Sequence, residues 1–460
     1  SRAYIREIYL PAIAYAVTGA TDTLRASLYA SFLNEAPVAV EYDGEMKKAK
    51  TIPVLLYHGV VEQQNGSDVT AHNFREQMFL LKENGYTALS LDEFLRFIKQ
   101  EGAVPEKSFL LTFDDGRRDS YYPVQPILSA LDYRAIMFVI TDKSLKEETN
   151  YYLSRGELER MEKSGRWNLQ PHAHEGHTNI EVDPNGTMGS YYGNLMWLAR
   201  QRRLETIEEY RFRVRGDMEQ AKTLIEKTFG EPVVSFAFPF GEYGQRAVDL
   251  QEELVRIMLE EAHGIYQIAF AQAWQGERKR NAPELDNFLM RRIEVSPSWS
   301  AVELLSVLEA TREKDPFYKS DFARNDDWSE LWGKSEVFPD GLQLSSHSGE
   351  VSAAALLEGT SLWKNYRLRA KMELLDGTTF SVMARFQSNN YISCTYSIDG
   401  SIRFEEDING KKHVYQILRD VIHLKKGEIL AIGIYADGDR AGCILDDDVV
   451  LTVTNLSGAP

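Results

Sequence analysis

The sequence has little cysteine. Two residues, Cys394 and Cys443, occur in 460, both near the C-terminus. That excludes a disulfide-dense scaffold and leaves the redox compartment unread. Each lies in a strand-like run, so they either pair across neighbouring strands or stay as buried free thiols. Long apolar runs are also lacking. The longest near the start, Ile8 to Ala20, is too short to span a bilayer and contains Pro11. No leader is legible, and the abrupt Ser1-Arg2 start carries the expectation of a membrane anchor or signal upstream. Positive charge is in deficit. Against 69 Asp and Glu stand 52 Lys and Arg, a net charge of −17. This argues against nucleic acid as a partner. The remaining composition, 43% apolar and 26% charged, is that of an ordinary globular chain. Its length exceeds what one core supports, so two or three domains are expected.

The most informative stretch that is present runs Phe109-Leu110-Leu111-Thr112-Phe113-Asp114-Asp115-Gly116. A buried strand ending in two carboxylates must desolvate charge. That is tolerated when the carboxylates are paired or bind a metal. Gly116 lets the chain turn sharply at the strand's C-terminal mouth, where parallel α/β folds keep their chemistry. The bland alternative is an exposed acidic turn. A second cluster, Gln170-Pro171-His172-Ala173-His174-Glu175-Gly176-His177, disfavours it. Asp115 with two of these histidines would give three ligands to a divalent ion and leave one position for water, the layout of a catalytic site.

These residues resemble the NodB-homology polysaccharide deacetylases, carbohydrate esterase family four, over roughly residues 51–312. Pro53 to His58 is similar to the family's opening strand, and Thr112 to Gly116 to its first catalytic motif. Residues 172–177 stand where the metal histidines belong. Phe236-Ala237-Phe238-Pro239-Phe240-Gly241 resembles the strand bordering the substrate, and Arg291 to Val295 the closing strand. The commonest family pattern separates the metal histidines by four positions. Position 176 is glycine here, and the five-residue separation of His172 and His177 is similar to biofilm poly-N-acetylglucosamine deacetylases. His172 and His177 are therefore the expected ligands with Asp115. His174 is the alternative first ligand, and Glu175 a residue that could orient a ligand imidazole.

The resemblance implies metal-assisted amide hydrolysis, with zinc as the expected ion and cobalt or nickel as alternatives. Asp114 would be the general base and the Phe240 N–H an oxyanion donor, aimed by Pro239. Three departures stand out. Phe240 replaces the usual Tyr. Ala237 replaces an arginine, whose charge Arg291 or Arg292 would supply unless both are surface residues. Strand alternation lets at most one of these face inward, and Arg292 is preferred. The late Leu-x-His motif is not evident, so His58 takes the general-acid role or is a structural imidazole. The substrate implied is an extracellular N-acetylhexosamine polysaccharide of the biofilm type, acted on outside the cell, at its surface or in the periplasm. Peptidoglycan or chitin deacetylation, or glycan binding with little turnover, are the alternatives.

Residues 1–50 read as a helical extension and linker. From Thr51 to 312, strands and helices alternate, which implies a mostly parallel sheet closed or nearly closed; the family fold is a distorted (β/α) barrel of seven strands. The insertion from Asp183 to Arg203 holds Tyr191, Tyr192 and Trp197. It lines the sugar groove or packs on its own domain. Over 313–460, short alternating runs with turns at Asp399-Gly400 and Asn409-Gly410 predict a β-sandwich, similar to lectin-like jelly rolls. Its aromatics Trp363, Tyr391 and Tyr396 either meet a glycan or form core. Asp446-Asp447-Asp448 is a cation site or a solvated turn.

Overall fold

The computed structural model describes residues 47–146, 150–285, 287–320, 322, 327–347, 352–387 and 390–456. Nearly all of the expected N-terminal extension lies outside them. The chain divides into two compact units. One runs through Ala273 and resumes over Lys279–Arg312; the other comprises Trp274–Arg278 and the chain from Glu313 onward.

In the first unit, strands β1 (Ile52–Tyr57), β2 (Ser108–Phe113), β3 (Ala135–Ile140), β4 (Trp167–Ala173), β5 (Ser235–Ala237), β6 (Ile268–Gln272) and β7 (Leu289–Glu294) form one sheet. Their order is β5-β6-β7-β1-β2-β3-β4, with every neighbouring pair parallel. Strands such as SFLLTF and AIMFVI are buried along their whole length, as a sheet covered on both faces requires. Alternate side chains serve different cores. Val54, Leu110, Phe138, Phe270 and Met290 share one cluster with Phe94 and Phe97. Leu55, Tyr57, Leu111 and Phe113 join another with helical residues such as Phe74, Leu128 and Val214.

The sheet path ends at β4 and β5, and side chains bridge that seam. Gln170 on β4 accepts the N–H groups of Val234 (3.0 Å) and Ser235 (2.9 Å). Two residues on, His172 donates across the same gap to the Ala237 carbonyl at 2.8 Å. Pro171 sits between them. A strand lacking one backbone ladder tolerates its missing donor. The result is a nearly closed α/β barrel.

Helix α1 (Ala71–Glu83) starts at Thr70, whose side chain accepts the Asn73 N–H. Helix α2 (Leu91–Ile98) carries Asp92 in its first turn, not as its cap. Ser90 is the N-cap, and Ser90 and Glu93 bond reciprocally. Two backbone donors are satisfied that way, against one for a lone aspartate. Further helices are α3 (Gln125–Leu131), α4 (Thr141–Lys146), α5 (Arg155–Lys163), α6 (Ile207–Phe229), α7 (Gln251–His263) and α8 (Ala301–Ala310). The 183–203 insertion forms small hairpins and packs on its own domain. Tyr192 is buried, and the Arg213 guanidinium lies 4.3 Å over the Tyr191 ring. Of the two expectations for this insertion, packing on its own domain describes Tyr192.

The second unit contains two four-stranded antiparallel sheets. Its long strands are β8 (Tyr366–Glu373), β9 (Thr379–Gln387), β10 (Asn390–Ser397), β11 (Ile402–Ile408), β12 (Lys411–Leu418), β13 (Ile429–Asp437), β14 (Arg440–Leu445) and β15 (Asp448–Val453). One sheet is β9-β10-β11-β12 and the other β8-β13-β14-β15. Asn409 and Gly410 have φ +53° and +77°, as a two-residue primed turn demands. Cys394 on β10 and Cys443 on β14 form a disulfide with Cα atoms 5.6 Å apart. It joins the two sheets, not neighbouring strands of one. Reducing it is expected to lower the sandwich's stability by about 2–4 kcal/mol, because it closes a long loop in the unfolded chain. Thermal unfolding with and without reductant measures this; coincident midpoints would show that the bridge contributes nothing. Tyr396 is fully buried, its hydroxyl 2.8 Å from the Gly433 carbonyl. Core, not glycan, surrounds it. Asp446 and Asp447 form a left-handed turn, and Arg369 pairs with Asp447 at 2.7 Å.

Candidate metal centre

Parallel strands bring the candidate residues to one end of the barrel. His58 follows β1, Asp114 and Asp115 follow β2, His172 lies near the end of β4, Phe240 follows β5 and Arg292 is on β7. This is the C-terminal mouth, where loops can converge without disturbing the packed interior. The Asp114 N–H still donates to the Tyr57 carbonyl at 3.1 Å, so its carboxylate is held by the sheet. Asp115 and Gly116 then both take left-handed backbone, φ +73° and +71°. The chain leaves the strand immediately after Asp114. Among residues with a Cβ, aspartate is one of the few that enters this region readily.

Arg292 clamps Asp114 through two parallel bonds. Nη1 donates to Oδ1 and Nη2 to Oδ2, each at 2.7 Å. Both side chains are buried. The fork geometry of guanidinium on carboxylate makes this a strong, oriented pair. Period-two alternation decides which arginine reaches Asp114. Arg291 instead donates to the Tyr243 hydroxyl at 3.1 Å. Burial pushes the Asp114 carboxyl up, but Arg292 and the nearby imidazoles outweigh it and hold the carboxyl at about 2. Asp114 is therefore ionised across the neutral range.

His172 is governed mainly by burial, which lowers its imidazole to about 4. The ring is neutral near pH 7. Its Nδ1 faces the Ala237 carbonyl at 2.8 Å, and a carbonyl only accepts. The proton is thus on Nδ1 and the Nε2 lone pair is available. Nε2 lies 3.7 Å from Asp115 Oδ1 and 3.8 Å from Asp114 Oδ2. His177 Nε2 is 3.3 Å from the same Asp115 oxygen. The Phe240 ring, at φ +59° on a turn of Pro239–Gly241, lies 4.5 Å from the His177 ring.

These donors fit a divalent ion. Ligand atoms of Asp115, His172 and His177 lie within 4.8 Å of one another. Asp115 Oδ1 is buried and has no hydrogen-bond partner among the described residues, which is costly unless a cation neutralises it. With zinc–ligand distances of about 2.0–2.1 Å, tetrahedral ligand atoms stand roughly 3.4 Å apart. The 3.3 and 3.7 Å separations bracket that value.

The other candidates go elsewhere. His174 is buried with both nitrogens engaged, Nδ1 with Thr141 Oγ1 at 2.9 Å and Nε2 with the Gln220 amide at 2.8 Å. It is not the alternative ligand. Asp142 and Glu175 lie near it, but Asp142 is taken by Lys146. Glu175 is exposed, with its carboxylate 3.9 Å from His174 and from Lys146; it orients neither His172 nor His177. His58 Nδ1 lies 3.8 Å from Glu294 Oε1. Its ring is close enough to Asp114 to favour the charged carboxylate.

Sequence reading missed Asp217. It sits on α6 among the buried residues Tyr210, Val214, Met218, Ala221 and Ile225. Its carboxylate accepts the backbone N–H groups of His174, Glu175 and Gly176 at 2.9, 2.7 and 3.0 Å, and the Tyr192 hydroxyl. An acid inside a helix's apolar stripe was the available signal.

Residues 101–255 match the family model for polysaccharide deacetylase, so the likeness read from the motifs stands. The chain is 28% identical over 214 residues to poly-beta-1,6-N-acetyl-D-glucosamine N-deacetylase of Escherichia coli K12, a match covering 43% of this chain and 32% of that protein. It is 24% identical over 247 residues to the protein of the same name from Staphylococcus epidermidis, covering 53% and 73%. A solved de-N-acetylase from Aggregatibacter actinomycetemcomitans has 20% identity and a TM-score of 0.46, covering 55% of this chain and 98% of that one. The chain thus spans about a third of the length of the Escherichia coli relative. No helix among the described residues is long and apolar enough to cross a membrane.

Proposed function

We propose that the barrel, as a polysaccharide deacetylase, hydrolyses the acetamido groups of a poly-N-acetylhexosamine and releases acetate. The polymer we assign is an extracellular biofilm exopolysaccharide of the poly-N-acetylglucosamine type, met outside the cytoplasm. Two things favour this polymer: the names of the relatives and the five-residue separation of His172 from His177. One observation carries the reading. Ligand atoms of Asp115, His172 and His177 converge beside a second, ionised carboxylate that makes no part of the triad.

Asp115, His172 and His177 would hold zinc, or cobalt or nickel, which accept the same donors. Such an ion, when bound, would acidify a water and polarise the acetyl carbonyl. Asp114 accepts the proton that the attacking water loses, and Arg292 keeps the carboxylate aimed and unprotonated. The Phe240 N–H donates to the acetyl oxygen as negative charge develops there. His58, at the end of β1, delivers a proton to the departing nitrogen. The water oxygen becomes part of acetate, the C–N bond breaks, and the sugar keeps a free amine. A net charge of −17 attracts the amine-bearing product, an attraction that added salt weakens.

The test is acetate release from defined oligomers of the 1,6-linked polymer, with chitin and peptidoglycan fragments alongside. Chelation is expected to abolish release, and zinc, cobalt or nickel to restore it. Release that survives complete chelation would overturn the metal role. Release from chitin or peptidoglycan fragments alone would overturn the substrate.

A further inference from the structure

We propose that Asp217 is a positioning residue for His177, tying the loop that presents this imidazole to helix α6. The inference rests on the metal site proposed above. Three consecutive backbone N–H groups, of His174, Glu175 and Gly176, converge on one buried carboxylate. The next residue in the chain is His177. The Tyr192 hydroxyl bonds the same carboxylate, and Tyr192 is itself buried against Phe236, ring centroids 5.6 Å apart. The loop therefore has one fixed course from His172, on the barrel wall, to His177 over the mouth.

The same packing accounts for the five-residue separation. A Cβ added at Gly176 would lie 2.8 Å from Cε2, Cζ and the hydroxyl of Tyr192. No side chain fits at 176 while Tyr192 holds Asp217, so a histidine four positions after His172 is sterically closed here. The ligand must come from 177. A carboxylate suits the clamp because its two oxygens offer about four acceptor sites and no donor. All four of the groups around it are donors.

The experiment is a cobalt titration of the metal-free full chain, followed by its visible absorption and by direct metal analysis. Asp217→Asn keeps the shape but turns an amide N–H₂ toward groups that themselves donate. Cobalt affinity is expected to fall about 10- to 100-fold, the usual scale for losing a group that orients a ligand, with an altered absorption spectrum. Met218→Ala, on the same buried stripe, controls for loss of packing and is expected to lower the unfolding temperature without moving cobalt affinity. Tyr192→Phe, which removes one of the four donors and keeps the ring, is expected to give a smaller loss and serves if Asp217→Asn does not fold. Wild-type affinity and spectrum in folded Asp217→Asn would overturn the inference. So would an equal affinity loss in Met218→Ala, or, should Tyr192→Phe be the only folded clamp variant, wild-type affinity in it. His177→Ala separates the two claims. If it binds cobalt normally, the metal-site reading itself fails; if it loses cobalt while Asp217→Asn does not, only the positioning role fails.

Discussion

Asp114→Asn is expected to keep the metal content of the protein and to lower kcat by about 10²–10⁴-fold, the range for removing a positioned general base. The amide has the carboxylate's shape but cannot take the proton of the attacking water. Metal content should hold because the converging ligand atoms belong to Asp115, His172 and His177. Elemental analysis beside an acetate assay reads both quantities. Undiminished turnover would remove Asp114 from the base role. Loss of the ion would make it a ligand instead. The variant also leaves Arg292 buried opposite a neutral group, so its fold must be checked by thermal unfolding at the same time.

Arg292→Met should destabilise the barrel by about 3–5 kcal/mol at neutral pH, since removing one member of a buried ion pair strands the other. Arg292 and Asp114 are 0% and 1% exposed, so solvent cannot take over. The pH dependence follows from the direction of the shift. The Asp114 carboxyl is depressed from its ordinary 3.8 to about 2 in the folded protein. The pair's contribution is therefore complete above the ordinary value and lost as pH falls through the depressed one. The stability gap between wild type and variant should be widest near neutrality and shrink between about pH 4 and 2. Without Arg292, burial is left to raise the Asp114 carboxyl, so the acidic limb of kcat/KM should move to higher pH. Denaturant titrations over this range and a pH–rate profile read these two effects. A gap that stays constant with pH would show that the pair does not contribute through charge.

Much of the barrel was legible because its strands are uninterrupted apolar runs with polar turns between them. Ser108–Phe113 and Ala135–Ile140 follow directly from that pattern, as does the start of α6 at Thr206, where hydroxyl and Glu209 stand three apart. At the start of α2, Ser90 and Asp92 are both good capping residues; only the reciprocal bond with Glu93 distinguishes Ser90. The pairing of Asp114 with Arg292 over Arg291 was legible from alternation. Two histidines of equal type were not so easily ranked. His174 and His172 are both buried, and what separates them is which acceptors and donors surround their nitrogens. The aromatic insertion kept two readings for a similar reason. A tyrosine's composition does not say whether its ring meets a sugar or, like Tyr192, a carboxylate inside the fold.

Local sequence, through strand-forming runs, caps and the Asp-Asp-Gly and histidine-rich stretches, determined that an α/β barrel would carry acids and imidazoles at its strand ends and that a β-sandwich would follow. Tertiary structure decided the rest: that Gln170 and His172 bridge the barrel seam, that Asp217 holds the loop before His177, and that the two cysteines join opposite sheets. These are contacts between residues 40 or more positions apart. Their partners are set by how strands and helices pack in space, and no short-range pattern of polarity or turn chemistry encodes that.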